Sequence, residues 1–275
     1  MCHDPDQNLI NIHLGADMAT VNCVECHDPH GSSSRSLLAS GSVHAPFEDT
    51  CAGCHLGSAS ALVEGGGAAL CYACHADLEG EVESAAIPHA ALEIAECIDC
   101  HSPHASRQKR LLRMPGGGVC LTCHEDQGGV AGKTAHGTVD WFGCQSCHLP
   151  HGGSKSNLLR EVGNNLCLGC HLEERINRTV GGDLELQWGF TVPSHRAGDL
   201  RLVVLDPFQN RDHPIRNHPV AGVVEGGGRT RIAKSLIGEE IDCRSCHNPH
   251  AGSSRGLFAF GAASSAELCV ACHPR

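Results

Sequence analysis

The sequence has few of the residues that build an ordinary hydrophobic core. Only 2 Trp, 1 Tyr and 6 Phe occur among 275 residues, whereas glycine numbers 33. A folded chain has to offset the conformational entropy that it loses, and it does so mainly by burying apolar side chains. This composition therefore excludes a conventional side-chain core, and it predicts that another hydrophobic group fills the interior.

Long apolar segments and a basic surface are also lacking. No run of eighteen apolar residues occurs, so the sequence predicts no membrane-spanning helix. The start, Met1-Cys2-His3, has neither the basic residues nor the apolar stretch of a signal peptide. A formal net charge of −11 argues against nucleic acid as a partner, because phosphate backbones bind basic surfaces.

Cysteine and histidine, by contrast, are abundant and regularly placed. The chain has 19 Cys and 21 His, and eighteen of the cysteines belong to nine copies of the pattern C-x-x-C-H. A shuffled chain of this composition would contain about 0.1 copies, so chance is excluded. The copies are Cys23/Cys26/His27, Cys51/Cys54/His55, Cys71/Cys74/His75, Cys97/Cys100/His101, Cys120/Cys123/His124, Cys144/Cys147/His148, Cys167/Cys170/His171, Cys243/Cys246/His247 and Cys269/Cys272/His273.

Three chemistries use paired cysteines, and only one of them needs the histidine. A disulfide framework does not explain a histidine after every second cysteine. Zinc sites use C-x-x-C pairs, but each needs two further ligands and none requires histidine at the next position. Covalent c-type haem needs all three residues. Positions i, i+3 and i+4 share one face of a helical turn, so two thiols reach the porphyrin vinyl groups while the imidazole meets the iron. The pattern predicts nine haem c groups, which also supply the missing hydrophobic mass.

The start of the sequence predicts a tenth haem. The phrase CHDP at residues 2–5 recurs at residues 26–29. Either the sequence begins inside a tenth motif, or Cys2 and His3 hold a haem through one thioether bond; the alternative is a free cysteine beside an ordinary histidine. Since multihaem maturation takes place outside the cytoplasmic membrane, we expect an export signal to have preceded the sequence.

Four stretches of the chain repeat one layout. Each has a histidine, then C-x-x-C-H-x-P-H, a polar Gly/Ser/Ala stretch, a pair of apolar residues and a second C-x-x-C-H. The stretches run from residues 13 to 55, 89 to 124, 136 to 171 and 218 to 273, and their apolar pairs are Leu37-Leu38, Leu111-Leu112, Leu158-Leu159 and Leu257-Phe258. This layout resembles the multihaem cytochromes c with doubled CxxCH motifs, and the resemblance covers most of the chain.

Histidines outside the motifs are predicted to be the second, distal ligands of the irons. The proline of each x-Pro-His phrase ends the helical turn of its motif, so the following histidine is free to ligate a different haem. Subtracting nine motif histidines and His3 from 21 leaves eleven, close to the number that nine or ten haems need. Only three methionines occur, so bis-histidine ligation and low reduction potentials are predicted. The eleven candidates are His13, His30, His44, His89, His104, His136, His151, His195, His213, His218 and His250.

The supply of distal ligands slightly exceeds the demand. The repeated layout uses eight of the candidates, two in each stretch, which leaves His44, His195 and His213 for the haem of His75 and the tenth haem. A spare histidine is either solvated or ligates a haem of a neighbouring copy. Ligation of a neighbour would create a heterologous contact, and repetition of that contact gives an open filament.

The predicted fold class is irregular and haem-packed, mostly coil, with short α-helices at the motifs and little sheet. We divide the chain into an N-terminal haem segment (1–80), two doubled units (81–171), a haem-free insert (172–242) and a C-terminal haem pair (243–275). Within the insert, LELQWGFTV and LRLVVLD predict one small β-hairpin inside residues 180–210. The phrase HPIRNHPV marks His213 or His218 as a ligand, and the rest of the insert is either functional or a solvent-facing decoration.

Electron transfer without bond chemistry is the expected function, because two histidines on each iron leave no open position and hence no catalytic residues. The resemblance favours an extracellular or cell-surface conduit that polymerises with other copies of itself, like the proteins called cytochrome nanowires. The alternative is a discrete periplasmic or surface carrier between partner cytochromes and extracellular acceptors. A multihaem oxyanion reductase ranks third.

Overall fold

The structure is a computed structural model, and it describes residues 6–32, 35–38, 41–115, 117–127, 133–197, 213–218 and 241–273. The chain divides into two compact units. The first comprises Met1–Val119 and His151–Gly153, and the second comprises Cys120–Pro150 and Ser154–Arg275. The four segments proposed from the sequence stay a prediction.

The helices are short, as predicted, and each of the nine motifs begins on a helical turn. Six motifs begin in α-helices of four residues or in single 3₁₀ turns. Helices α1 to α13 are Gln7–Ile12, Cys23–Cys26, Ala45–Asp49, Gly67–Tyr72, Ala76–Glu83, Ala91–Ile94, Cys97–Cys100, Gly118–Leu121, Gly137–Phe142, Asn164–His171, Ser194–Ala197, Cys243–Cys246 and Ser265–Cys272. The 3₁₀ turns are Arg35–Leu37, Cys51–Gly53, Val63–Gly65, Lys109–Leu111, Glu125–Gln127, Cys144–Ser146, Ser156–Leu158, Glu173–Arg175, Gln187–Gly189, Pro214–Asn217 and Ala259–Gly261.

The motif of Cys71 and Cys74 forms a helical turn that extends beyond the end of its helix. Helix α4 ends at Tyr72, so Cys71 lies on its last turn, whereas Cys74 lies in the turn between α4 and α5. The helix ends here because His75 leaves the helical region, at φ −105° and ψ 48°, and becomes the N-cap of α5. The amides of Cys74 and His75 still donate to the carbonyl of Cys71, at 3.2 and 3.0 Å. The motif therefore keeps one helical turn even though its second cysteine lies outside the helix.

Side-chain caps fix where several of these helices begin. The carboxylate of Asp6 accepts a hydrogen bond from the amide of Leu9 at 2.7 Å, and Ser264 caps the helix of the last motif by accepting from Glu267. At α12, Asp242 and Ser245 form a reciprocal capping box. Such caps satisfy amide groups that a helix leaves without partners. They let helices of four to eight residues form where packing contributes little.

Among the described residues, sheet structure consists of two-residue strands and isolated bridges. In the first unit, β1 (Ser42–Val43) pairs antiparallel with β2 (Ala105–Ser106). In the second unit, β3 (Thr134–Ala135) pairs with β7 (Ala251–Gly252). A three-stranded antiparallel sheet, in the order β4-β5-β6, is formed by Asn177–Arg178, Leu184–Glu185 and Thr191–Val192. The predicted irregular, haem-packed fold class, mostly coil with short helices, is confirmed.

The insert does contain a small hairpin, but its strands differ from those predicted. LELQWGFTV is two strands, β5 and β6, joined by a turn in which Trp188 has φ 63° and Gly189 has φ 76°. The turn forms because glycine tolerates the left-handed region at no steric cost. The second predicted strand, LRLVVLD, lies outside the described residues.

This sheet carries a compact hydrophobic cluster. Leu184, Leu186, Phe190 and Val192 are buried and contact one another, and Val192 has no exposed surface. Residues that pack against this cluster are Trp141, Phe142, Cys170, Ile176 and Trp188. Since Cys170 belongs to a motif, the described part of the insert covers a haem attachment site. In other places large apolar side chains are exposed, among them Ile94 and Leu56.

Candidate haem-binding sites

The motif histidines that precede x-Pro-His are held by a repeated backbone arrangement, which we call the carbonyl clamp. In each, the histidine is extended and forms an isolated antiparallel bridge to the second residue of the apolar pair. Its ring nitrogen Nδ1 donates to the carbonyl oxygen nine residues later, at 2.6 to 2.8 Å. The four clamps join His27 to Ser36, His101 to Arg110, His148 to Asn157 and His247 to Gly256.

The clamp fixes which nitrogen faces a metal. With Nδ1 donating to a carbonyl, Nε2 carries the free lone pair, and such a partner also raises the basicity of a ligating imidazole. A second hydrogen bond closes each turn: the amide after the histidine donates to the first residue of the apolar pair, as from Leu149 to Leu158 at 2.7 Å.

The turn that presents the carbonyl is strained. Asn157 and Leu158 have φ 57° and 53°, and the same left-handed conformation recurs at Arg110 and Leu111. A non-glycine residue there costs on the order of 1–2 kcal/mol. Strain that is repeated at each clamp indicates that the position of the carbonyl matters more than the local stability.

Sixteen histidines come together as eight facing pairs, four in each unit. Within every pair the ring centroids are 6.0 to 6.3 Å apart. In the first unit the pairs are His13–His27, His44–His75, His55–His104 and His101–His151. In the second they are His136–His171, His148–His250, His213–His247 and His218–His273.

This spacing fits one iron between each pair. An imidazole nitrogen binds a metal at about 2 Å, and it lies roughly 1 Å from the centre of its ring, so two imidazoles on opposite sides of one metal have centroids about 6 Å apart. Every pair contains one motif histidine, which follows directly on two cysteines. The two thiols would hold the porphyrin, and the two imidazoles would be the axial ligands of its iron.

The pairs indicate which distal histidine would serve which motif. The x-Pro-His residues His104, His151 and His250 each face the histidine of a different motif, namely His55, His101 and His148 respectively. His44 faces His75, and His213 faces His247. An iron bound between the two rings of a pair would join remote parts of one unit.

The structure describes the remaining predicted ligands to different extents. Cys2 and His3 lie outside the described residues. His30 and His195 are exposed, and neither faces another histidine ring within the part of the chain that the structure describes. His89 and His124 stay predictions from the sequence. Of the three histidines assigned to the remaining haems, His195 alone is left without a facing ring in the described structure.

Burial lowers the pKa of six paired imidazoles and so favours their neutral form, which is the form that binds metals. It lowers the pKa of His171 to about 4, because the charged ring would lose its hydration. Burial also lowers the pKa of His104, His136, His151, His213 and His250. These rings therefore need no proton loss near neutral pH before they can ligate.

The cysteines lie in pairs and form no disulfide among the described residues. Thiols of different motifs influence each other's pKa at three places, Cys71 with Cys97, Cys120 with Cys144 and Cys167 with Cys243. The interaction between Cys167 and Cys243 raises the pKa of the first thiol and lowers that of the second. Attachment sites of successive motifs thus adjoin one another within each unit.

The two cysteines of the His75 motif differ in their surroundings. Cys71 is half-buried and its thiol donates to the carbonyl of Gly67 at 3.8 Å, whereas Cys74 is exposed at the turn after α4. The polypeptide by itself therefore does not enclose the Cys74 thiol. Its predicted thioether bond to the haem of His75 stays a prediction from the motif, and it is supported by the facing pair of His75 and His44.

The arrangement of the cysteines and histidines differs from that of a structural zinc site. A structural zinc ion takes four cysteine or histidine ligands. Across the described ranges, no group of three or more His, Cys, Asp or Glu side chains is arranged to hold a metal ion. The same residues contain no helix that is long and apolar enough to cross a membrane.

Sequence reasoning missed the four residues whose carbonyls form the clamps. Ser36, Arg110, Asn157 and Gly256 differ chemically, because the backbone oxygen and not the side chain makes the contact. The available signal was spacing: each lies nine residues after a motif histidine and directly before an apolar pair.

Comparison with known proteins agrees with this arrangement. A family model described as the doubled CXXCH motif matches residues 16–55, 44–80, 89–129, 136–176 and 237–275, which is more than half of the chain. No curated protein is significantly similar to the sequence.

Proposed function

We propose that this chain is an extracellular electron conduit that polymerises. The premise is that it belongs to the doubled CXXCH motif family and is a multihaem c-type cytochrome of electron transfer. Its nine complete motifs and Cys2-His3 hold nine or ten haems with bis-histidine ligation. The observation that carries the proposal is the set of eight histidine pairs with centroids 6.0 to 6.3 Å apart.

A bound haem would supply a one-electron Fe(III)/Fe(II) couple, and the chain would supply the ligands of the iron and hold them in place. With haem bound, the paired imidazoles would ligate the iron from both sides and would leave no coordination site for a substrate. The clamps would hold the rings of His27, His101, His148 and His247 in one orientation, which would limit their movement when the iron changes oxidation state. Histidine ligands without methionine keep the potentials low.

Close spacing of the sites supports conduction over simple storage. The phrase His101–His104 supplies ligands to two irons, because His101 faces His151 and His104 faces His55. His247–His250 does the same in the second unit, toward His213 and His148. Three residues of backbone span about 10 Å at most, so the irons served from one phrase are near neighbours.

Polymerisation is supported by the exposed histidines. His30 and His195 present imidazoles at the surface, and either can complete a haem of a neighbouring copy. Such a contact joins two different patches and is therefore open-ended. In the proposed path, electrons pass from a partner cytochrome along the chain and then to the next copy or to an extracellular acceptor.

Electron microscopy of the native material tests this proposal directly. Filaments with an axial repeat of one chain are expected, and His30→Ala or His195→Ala should shorten or abolish them while the haem count is unchanged. His44→Ala is the matched control, because His44 faces His75 inside the chain. Uniform globular particles would instead assign the protein to the discrete periplasmic or surface carriers.

A further inference from the structure

The angle between the two facing imidazole planes falls into groups that follow the backbone position of the distal histidine. Distal residues that cap the N-terminus of a helix, His44, His136 and His213, give 12°, 16° and 18°. Those at the C-cap, His13 and His218, give 70° and 65°. The x-Pro-His residues His250, His104 and His151 lie between, at 25°, 35° and 36°.

Hydrogen bonds distinguish the C-cap rings from the N-cap rings; at the N-cap His213, for example, Nδ1 accepts from the amide of Ile215 at 3.3 Å. At the C-cap, Nδ1 lies beside the carbonyl four residues earlier, 2.8 Å from Leu9 for His13 and 2.9 Å from Pro214 for His218. A carbonyl of the same helix therefore fixes the orientation of the distal imidazole ring. At the N-cap, Nδ1 of His44 lies 2.8 Å from the carbonyl of Pro103, just before the strand paired with β1, and the His44 amide donates to His104.

The difference arises on the distal side of the iron. His27 in the 70° pair makes the same clamp as His148 in the 25° pair, at 2.7 and 2.8 Å. With the motif ring held alike, the remaining variable is the cap that holds the distal ring.

This angle has an electronic consequence. The π orbital of each imidazole acts on one iron d orbital, so parallel rings raise the same orbital and separate it from its partner. The single vacancy of low-spin Fe(III) then occupies the raised orbital, which stabilises the oxidised state. Perpendicular rings raise both orbitals equally, and this stabilisation is lost. Axial ligation is a recognised means by which a protein sets haem potential.

We infer that the chain carries two electronic classes of haem, and that the helix C-caps at His13 and His218 create the second class. The haems of Cys23/Cys26 and Cys269/Cys272 then have nearly degenerate iron orbitals and higher reduction potentials than the haems served from N-caps. They belong to the first and last complete motifs of the sequence, one in each unit. This inference rests on the proposed electron-transfer function. Because these two haems have the higher reduction potentials, electrons would reside on them longest.

Electron paramagnetic resonance of the oxidised holoprotein tests the assignment. Nearly degenerate orbitals give a signal with a large maximal g value, whereas parallel rings give a rhombic signal. His13→Ala and His218→Ala should each remove one spin equivalent of the large-g signal and create one high-spin iron. The matched control His44→Ala should replace one equivalent of rhombic intensity by high-spin iron and leave the large-g signal intact. Loss of rhombic intensity in His13→Ala, with the large-g signal intact, would overturn the inference.

Loading and potential are measured on the same samples. Mass spectrometry checks that each variant retains its haems, and His13→Met replaces any alanine variant that does not. In a potentiometric titration the large-g signal should disappear before the rhombic signal as the potential falls. Disappearance together or later would overturn the assignment of higher potential. A globular particle in electron microscopy would contradict the conduit and leave these signals as expected.

Discussion

The ring nitrogen Nδ1 of His148 lies 2.8 Å from the carbonyl oxygen of Asn157, nine residues further along the chain. Asn157 has φ 57°, a conformation that asparagine tolerates better than most residues. The strained turn therefore orients the imidazole of His148, because it positions the carbonyl oxygen that accepts from Nδ1.

Asn157→Val should weaken this clamp. A β-branched residue is poorly accommodated at positive φ, so the turn loses on the order of 1–2 kcal/mol and the carbonyl moves away from His148. We expect faster hydrogen exchange at the amide of Leu149, which donates to Leu158 at 2.7 Å, and a higher potential for one haem. Hydrogen exchange and a potentiometric titration measure the two effects.

Asn157→Gly is the control for that variant. Glycine adopts positive φ freely and keeps the same backbone carbonyl. Exchange at Leu149 should then match the parent protein. If the valine and glycine variants behave alike, the side chain of Asn157 and not the turn orients His148.

The sequence could predict the motifs and the apolar pairs beside each clamp, but not the hydrogen bond from Nδ1 to the carbonyl that forms the clamp. The apolar pairs and the C-x-x-C-H spacing are local, and they correctly indicated helical turns and an irregular fold. They did not indicate that α4 ends before Cys74, because that end depends on the conformation of His75. Which carbonyl meets Nδ1 depends on left-handed residues such as Leu111 and Leu158, and leucine has no preference for that conformation.

Distal assignments were also beyond local reasoning. His101 and His151 are fifty positions apart, and their facing arrangement follows from the folding of the whole first unit. Counting ligands narrowed the candidates, and the doubled layout located most of them. The N-cap and C-cap positions that separate His44 from His13 emerge only with the helices themselves.

Denaturing mass spectrometry of the native holoprotein should show at least nine haem additions, one for each complete motif. A tenth addition that disappears in Cys2→Ala would assign it to Cys2 and His3. Cys2→Ala should leave the other nine in place, because their thiols all lie within complete motifs. Fewer than nine additions in the parent protein would contradict full loading.

Oxidised protein should contain low-spin iron at all eight paired sites, since each has two imidazoles at ligating distance. His151→Ala should convert one equivalent to high-spin iron, the one held by Cys97 and Cys100, because His151 faces His101. Electron paramagnetic resonance counts the spins. A large high-spin signal in the parent, with rapid nitrite or hydroxylamine turnover, would favour a reductase.

The last prediction concerns the contact between the insert and its haem site. Gly169 lies between Cys167 and Cys170, and a Cβ atom there would come within 2.5 Å of the Trp188 indole. Since Gly169 is buried and Trp188 packs on the hydrophobic cluster, neither side can move freely. Gly169→Ala should therefore displace the sheet at a cost of about 1–3 kcal/mol.

Gly53→Ala is the matched control, because Gly53 has the same place in the motif of Cys51 and Cys54. Its nearest neighbour would be Cγ2 of Thr50 at 3.9 Å, an ordinary contact, so alanine should be neutral or slightly stabilising there. Hydrogen exchange in residues 184–192 should rise roughly tenfold in Gly169→Ala, a change that corresponds to about 1.4 kcal/mol of local opening. It should be unchanged in Gly53→Ala. Because the sheet covers Cys170, the exposed haem should also lose potential as water reaches it. Equal protection of the sheet in both variants would show that the insert does not depend on this contact.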